Sequence, residues 1–120
     1  MSTPLVSVIM NCYNGEQFLR EAIDSIYEQT YQNWEIIFWD NASTDNSAAI
    51  AQSYDNRLRY YLSAGFTSLG MARELAVQKS NGEYVAFLDC DDFWHHSKLS
   101  MQMPLFFRHE DVGVVYSNYW

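Results

Sequence analysis

The residues best suited to chemistry in this 120-residue chain are Asp89, Asp91 and Asp92, three carboxylates in the four-residue string Asp89-Cys90-Asp91-Asp92. Like charges this close raise one another's pKa unless a cation or hydrogen-bond donors neutralise them. The string follows the apolar run Tyr84-Val85-Ala86-Phe87-Leu88, so a buried strand is expected to fix the backbone just ahead of it. Carboxylates delivered at a strand end suit a hard divalent cation such as Mg²⁺, which takes oxygen ligands, often one or two carboxylates plus substrate phosphates. In an extended stretch Asp89 and Asp91 share one face and Asp92 takes the other. A turn after Asp91 would let Asp91 and Asp92 both serve a cation while Asp89 meets the rest of a ligand. The competing expectation is that Asp92 caps the following turn and the other two are solvated.

Further candidates lie far away in sequence. Asp40 and Asn41 follow the run Trp34-Glu35-Ile36-Ile37-Phe38-Trp39, and their oxygens can accept hydrogen bonds from a ring N–H or a ribose hydroxyl. They can equally shape the turn, with Ser43 or Thr44 capping the next helix. The cluster Asn11-Cys12-Tyr13-Asn14 offers amide groups and an aromatic ring that can stack on a base or pack at a rim. Arg73 has the charge to neutralise a diphosphate. His95 and His96 are read as loop residues. Cys12 and Cys90 are read as small packing residues, because no partner shows zinc-ligand spacing.

The elements that must position these groups alternate regularly. Leu5 to Met10 reads as a strand. A helix over about residues 15–29 follows, from the stripe Phe18, Leu19, Ala22, Ile23, Ile26, with Asn14 and Gln17 as its capping box. Trp34 to Trp39 is a strand, followed by a helix to about Tyr54. Arg57 to Leu62 is a strand, followed by a helix from Ser68 to Lys79 that Asn81-Gly82 closes. Residues 83–89 form a strand, Ser97 to about Phe107 a helix interrupted at Pro104, and Val112 to Tyr116 a last strand. Strands and helices in strict alternation imply an α/β domain over residues 1–120, a mostly parallel sheet with helices on both faces. In such sheets ligands bind beyond the carboxyl ends of the strands, where strand order reverses. Asn11–Asn14, Asp40–Ser43 and Asp89–Asp92 all fall at those ends.

Composition narrows the partners. Fifteen acids against seven bases give a net charge of −8, which argues against a nucleic-acid partner. Phosphate binding would then need a metal, helix N-termini or a few placed arginines. A hydrophobic fraction of 48% excludes disorder. There is no apolar stretch of membrane-spanning length and no signal-peptide pattern at Met1-Ser2-Thr3-Pro4. Two cysteines make no disulfide scaffold, so a reducing cytoplasmic setting is expected.

With these residues in place, the chain resembles the N-terminal, nucleotide-sugar-binding part of a family 2 inverting glycosyltransferase of the GT-A (Rossmann-like) fold. The likeness runs through Val6–Asn14, Ser25–Tyr31, Trp39–Asp45, Ala72-Arg73 and Gly82–Trp94. It implies transfer of a sugar from a nucleoside-diphosphate donor, with Mn²⁺ or Mg²⁺ bridging the diphosphate. By the resemblance Asp91 and Asp92 serve the metal and diphosphate, with Asp89 beside them. Asp40 and Asn41 contact the base, and Asn11, Tyr13 and Arg73 lie on or near the nucleotide. The acceptor class it implies is a glycan, a lipid-linked glycan or a protein. The chain departs from the pattern at Asn11-Cys12, where Pro-Thr is frequent, at Asn41, where a second acid is frequent, and at Glu74, where Asn is. Asn41 can still accept from a pyrimidine N3–H, which suits UDP- or dTDP-type donors.

Members of the family run on beyond this length, with the acceptor site and general base in the further portion. The chain is therefore expected to be a fragment that binds donor without efficient transfer, cytoplasmic and, at full length, peripheral to a membrane. Its apolar surface around Val112, Val114, Tyr116 and Trp120 is expected to drive self-association. Two other classes fit parts of the pattern. A haloacid-dehalogenase-type phosphatase would use Asp89 as nucleophile and Asp91 as acid/base. A non-catalytic nucleotide-binding or assembly module would leave the acids solvated.

Overall fold

The computed structural model describes residues 4–101, and the backbone of residues 114–115. Five strands form one sheet: β1 (Val6–Cys12), β2 (Trp34–Asp40), β3 (Leu58–Leu62), β4 (Tyr84–Phe87) and β5 (Val114–Val115). Three helices alternate with the first four strands: α1 (Leu19–Tyr27), α2 (Ser47–Gln52) and α3 (Leu69–Gln78). Residues 98–101 form a further helical turn. The strand order is β3-β2-β1-β4-β5 and every pairing is parallel. The order reverses between β1 and β4, which makes their carboxyl ends the switch point of the sheet.

Alternation along the strands assigns the two faces. Val6, Val8, Met10 and Cys12 of β1 join Ile36 and Phe38 of β2 in a buried cluster under Leu19, Ala22, Ile23 and Ile26 of α1. The opposite face presents Ile9, Ile37, Trp39 and Val85 to Ala72 and Ala76 of α3. The small side chains of α3 let it lie close against the sheet, which is why Arg73 comes near the strand ends. Among the described residues no helix is long and apolar enough to cross a membrane.

Several expected caps do not form. Asn14 is no helix cap: it sits at φ 52, its backbone N–H donates to Ser43 Oγ at 2.9 Å, and its Oδ1 accepts from the Thr44 N–H at 2.7 Å. The helix begins later, at Leu19, with Phe18 in the capping position and no side-chain cap. Ser43 and Thr44 face back across the loop instead of capping α2, which starts at Ser47 beside an Asp45 carboxylate that accepts the Ser47 N–H at 2.9 Å. Long-range loop-to-loop bonds outcompete the local ones here. Ser68 does cap α3, accepting the Met71 N–H at 3.3 Å.

Gly82 also differs from expectation, since it has no positive φ and so is no left-handed cap. It is a close-approach glycine. A Cβ there would lie 2.5 Å from Ser7 Oγ, 2.7 Å from the Ser7 nitrogen and 2.8 Å from the Leu5 oxygen. Most of the expected helix over 97–107 and the residues Val112, Tyr116 and Trp120 lie outside the described residues.

Candidate functional site

Every candidate residue except Arg73 is brought to the carboxyl ends of β1, β2 and β4 by the parallel ladder. A cleft of about 440 Å³ opens there, lined by Asn11, Tyr13, Gly15, Asp89, Cys90 and Asp91 among others. A smaller hollow of about 180 Å³ adjoins it, sharing Asn11, Tyr13 and Leu69 and adding Asn41, Phe66 and Thr67. Five of the candidate residues, Asn11, Tyr13, Asn41, Asp89 and Asp91, therefore line two joined spaces. Asp40, Arg73 and Asp92 sit behind or beside them.

The acid string turns as soon as β4 ends. Leu88 is still held by β1, its N–H donating to the Ile9 carbonyl at 3.1 Å, and the Asp92 N–H then donates to the Asp89 carbonyl at 3.1 Å. The turn puts Asp89 and Asp91 at the cleft and leaves both exposed. Asp89 Oδ1 lies 3.5 Å from Arg73 Nη2, a loose ion pair in solvent. Asp92 Oδ1 accepts the Phe93 N–H at 3.0 Å, so one of its oxygens shapes the turn. Behind it, burial holds the Lys98 ammonium below the usual lysine value, with Asp92 pulling the other way.

Asp40 and Asn41 are buried, and their polar atoms are already in use. Asp40 Oδ2 accepts the Tyr60 hydroxyl at 2.5 Å and Oδ1 accepts the Ser43 N–H at 2.8 Å. Burial pushes the Tyr60 phenol well above its usual pKa, and the Asp40 bond adds to it. Asn41 Nδ2 donates to the Thr67 carbonyl at 2.7 Å, while Oδ1 accepts from the Thr67 N–H at 2.9 Å. Asn41 thus clamps the loop after β3, and in doing so delivers Phe66 to Tyr13. Their rings meet edge to face with centroids 5.0 Å apart, both side chains about half exposed or more. In contrast, the buried Asn11 Nδ2 has no hydrogen-bond partner. An unsatisfied donor in a site wall is ready for an acceptor on a ligand.

Phe66, Thr67 and Leu69 were not singled out from sequence. The local sign was an aromatic residue beside Gly65, and their place depends on the fold-back that Asn41 makes. The His95 and His96 rings touch in a tilted arrangement with centroids 4.2 Å apart, away from the cleft residues.

The two cysteines meet under the acid turn. Both are free, Cys12 buried and Cys90 partly so. A bond from the Cys90 thiol holds Cys12 below the usual thiol value. Cys90 is held far above it, first by the same contact and then by burial.

As for a cation, no group of three or more His, Cys, Asp or Glu side chains among the described residues is arranged to hold one. What the cleft offers is an edge of hard carboxylate oxygens, those of Asp89 and Asp91 with Asp92 beside them, and not a closed cage. That donor set fits an Mg²⁺-type ion that keeps water and phosphate ligands.

Fold and cleft together define an α/β sheet with an open cleft at its switch point, and sequence likeness gives the family. The model of Glycosyl transferase family 2 matches residues 7–120, and the chain belongs to that family. It is 34% identical over 120 residues to the UDP-Glc:alpha-D-GlcNAc-diphosphoundecaprenol beta-1,3-glucosyltransferase WfgD of Escherichia coli, covering 99% of this chain and 47% of the relative. The chain thus spans about half the length of that relative. Among solved structures, S. aureus TarS 1–349 in complex with UDP-GlcNAc superposes with a TM-score of 0.81 at 27% identity, covering 88% of this chain and 32% of that one. The mannosyltransferase PcManGT of Pyrobaculum calidifontis, in complex with GDP-Man and Mn²⁺, gives 0.77 at 25% identity, covering 92% and 34%. The fold is the expected GT-A glycosyltransferase fold, and the phosphatase alternative is not favoured.

Proposed function

We propose that this chain forms the donor-binding part of a glycosyltransferase that moves a sugar, with inversion, from a UDP- or dTDP-type nucleoside diphosphate to a glycan, lipid-linked or protein acceptor. The observation that carries the reading is the convergence of Asn11, Tyr13, Asp89 and Asp91 on one cleft at the switch point of the sheet. Tyr13 and Phe66 offer ring faces and edges to a base, and Asn11 Nδ2 an unused donor to its carbonyl or to a ribose oxygen. Asn41 and Asp40 position that hollow through the bonds they make. Arg73, whose ion pair among the described residues is with Asp89 at 3.5 Å, can swing to a phosphate oxygen.

Mn²⁺ or Mg²⁺ held by Asp91 and Asp92 would stabilise the charge that gathers on the departing diphosphate. Asp89 then orients Arg73 at the cleft edge. The general base that takes the acceptor proton is contributed outside these residues. Relatives that bind UDP-GlcNAc or GDP-Man support a nucleotide-sugar donor.

Calorimetry with UDP, dTDP and GDP, each with and without Mn²⁺, tests the reading. Expected is binding of the uridine or thymidine nucleotide that needs the metal and drops at least tenfold in Asp91→Ala and in Asp92→Ala. Binding of none of the three would overturn it and leave a non-catalytic module. Assaying transfer by this chain tests where the base lies; efficient transfer would place it within these 120 residues.

A further inference from the structure

We propose that Cys12 and Cys90 are a reversible disulfide-forming pair, closed by a peroxide, that fastens the Asp89–Asp92 turn to the end of β1. Sheet register brings them together. β1 and β4 pair from Val6 with Tyr84 to Ile9 with Phe87, and the Leu88 N–H to Ile9 carbonyl bond keeps the same offset past the last strand residue. The ladder stops there, and the Asp89–Asp92 turn sets Cys90 beside the end of β1, where both cysteines join the cluster on the α1 side of the sheet.

The third participant is Gly15. A side-chain carbon there would stand 2.6 Å from Cys90 Sγ and 3.0 Å from Cys12 Sγ. Both sulfurs therefore crowd a single point, and only a glycine leaves room for them. Both thiols border the joined spaces, Cys90 at the larger cleft and Cys12 at the smaller hollow. One sulfur, as thiolate, attacks the peroxide O–O bond, giving a sulfenic acid and releasing water. The other then attacks that sulfur, the S–O bond breaks, and a second water leaves. Two thiols lose two electrons and two protons; one peroxide is reduced to two waters.

Closing the bond draws the sulfurs to about 2.05 Å. Cys90 lies between Asp89 and Asp91, so the two cleft carboxylates move with it. Weaker donor binding in the oxidised chain follows; this consequence rests on the donor reading above, while the disulfide itself does not.

The chain is reduced, exposed to hydrogen peroxide, denatured, alkylated with iodoacetamide and mapped by mass spectrometry. It holds only these two cysteines, so the products are unambiguous. Expected is a monomer lighter by two hydrogen atoms, unalkylated, with a single Cys12–Cys90 linked peptide that dithiothreitol reverses. Cys12→Ser and Cys90→Ser should each abolish it. Two alkylated thiols after peroxide, a sulfinic acid on one cysteine beside an alkylated thiol on the other, or links only between chains would overturn the proposal. Titration of oxidised and reduced chain with UDP and Mn²⁺ separates the two readings. At least tenfold weaker binding after oxidation supports the coupling, and equal affinity in the two forms overturns it. Failure of the reduced chain to bind would count against the donor reading alone.

Discussion

Asn41 turns its whole amide toward Thr67, donating to the carbonyl at 2.7 Å and accepting from the N–H at 2.9 Å and the hydroxyl at 3.0 Å. Removing it leaves backbone groups of a half-buried loop unpaired, a loss of about 1–3 kcal/mol. Asn41→Ala should lower stability by that order and speed hydrogen exchange at the Thr67 amide; unchanged exchange would show that the clamp does not hold the loop. The sequence showed a polar residue at a strand end, and a base contact was the natural expectation. The partner 26 residues away was invisible, because only the β2–β3 pairing brings it near. A second residue-scale prediction concerns Asp55. The Tyr27 hydroxyl, then the Arg57 N–H, holds its carboxyl below the usual carboxylate value. A depressed folded-state pKa contributes stability that is present above the unfolded value, about 3.9, and lost as pH falls through the folded one. Tyr27→Phe should return Asp55 toward the ordinary value in a carboxyl NMR titration and flatten the acid limb of the stability curve. An unmoved Asp55 would show that the phenol is not the cause.

At the scale of elements, the turn into β4 depends on Gly82 having no side chain. Its N–H donates to Ser7 Oγ at 2.8 Å, and Ser7 in turn donates to Glu35 Oε2 at 2.6 Å. The Asn81 N–H reaches the same Glu35 oxygen at 2.7 Å. The amino ends of β1, β2 and β4 are therefore tied through one small polar knot. Gly82→Ala places a methyl group against the Ser7 nitrogen and the Leu5 oxygen, which are backbone and cannot rotate away. The strands must separate, at a cost of about 1–3 kcal/mol or more. Denaturant unfolding should report that loss, and a variant as stable as the parent would mean that β4 shifts freely. Strands and helices themselves were legible, because period-two and helical apolar stripes are local properties. Caps were not: Asn14, Ser43 and Gly82 are all residues favoured in caps or turns, yet each is claimed by a group distant in sequence. Asp45, which does hold the start of α2, was not singled out.

For the whole molecule, the alternation of strands and helices foretold the parallel sheet, and the right-handed crossover rule leaves few strand orders. That is why the cleft's position could be expected before its walls were known. Charge adds a constraint that the fold does not relieve. The protein carries −8, and its cleft sets Asp89 and Asp91 against one Arg73. A nucleoside diphosphate approaching without a cation meets repulsion from the site and from the body of the protein. Exposed charges more than a Debye length apart, about 10 Å at 0.1 M salt, are screened from one another. Added salt should therefore raise the association rate of metal-free UDP, by several-fold between about 0.01 and 0.15 M ionic strength, because the long-range field sets approach rates. With Mn²⁺ saturating, the incoming complex is less anionic and the same salt range should change the rate much less. Stopped-flow measurements on the chain, with and without the ion, read both arms. A metal-free rate that falls with salt would mean that Arg73 and backbone donors outweigh the acids, and that the cation is not what admits the diphosphate.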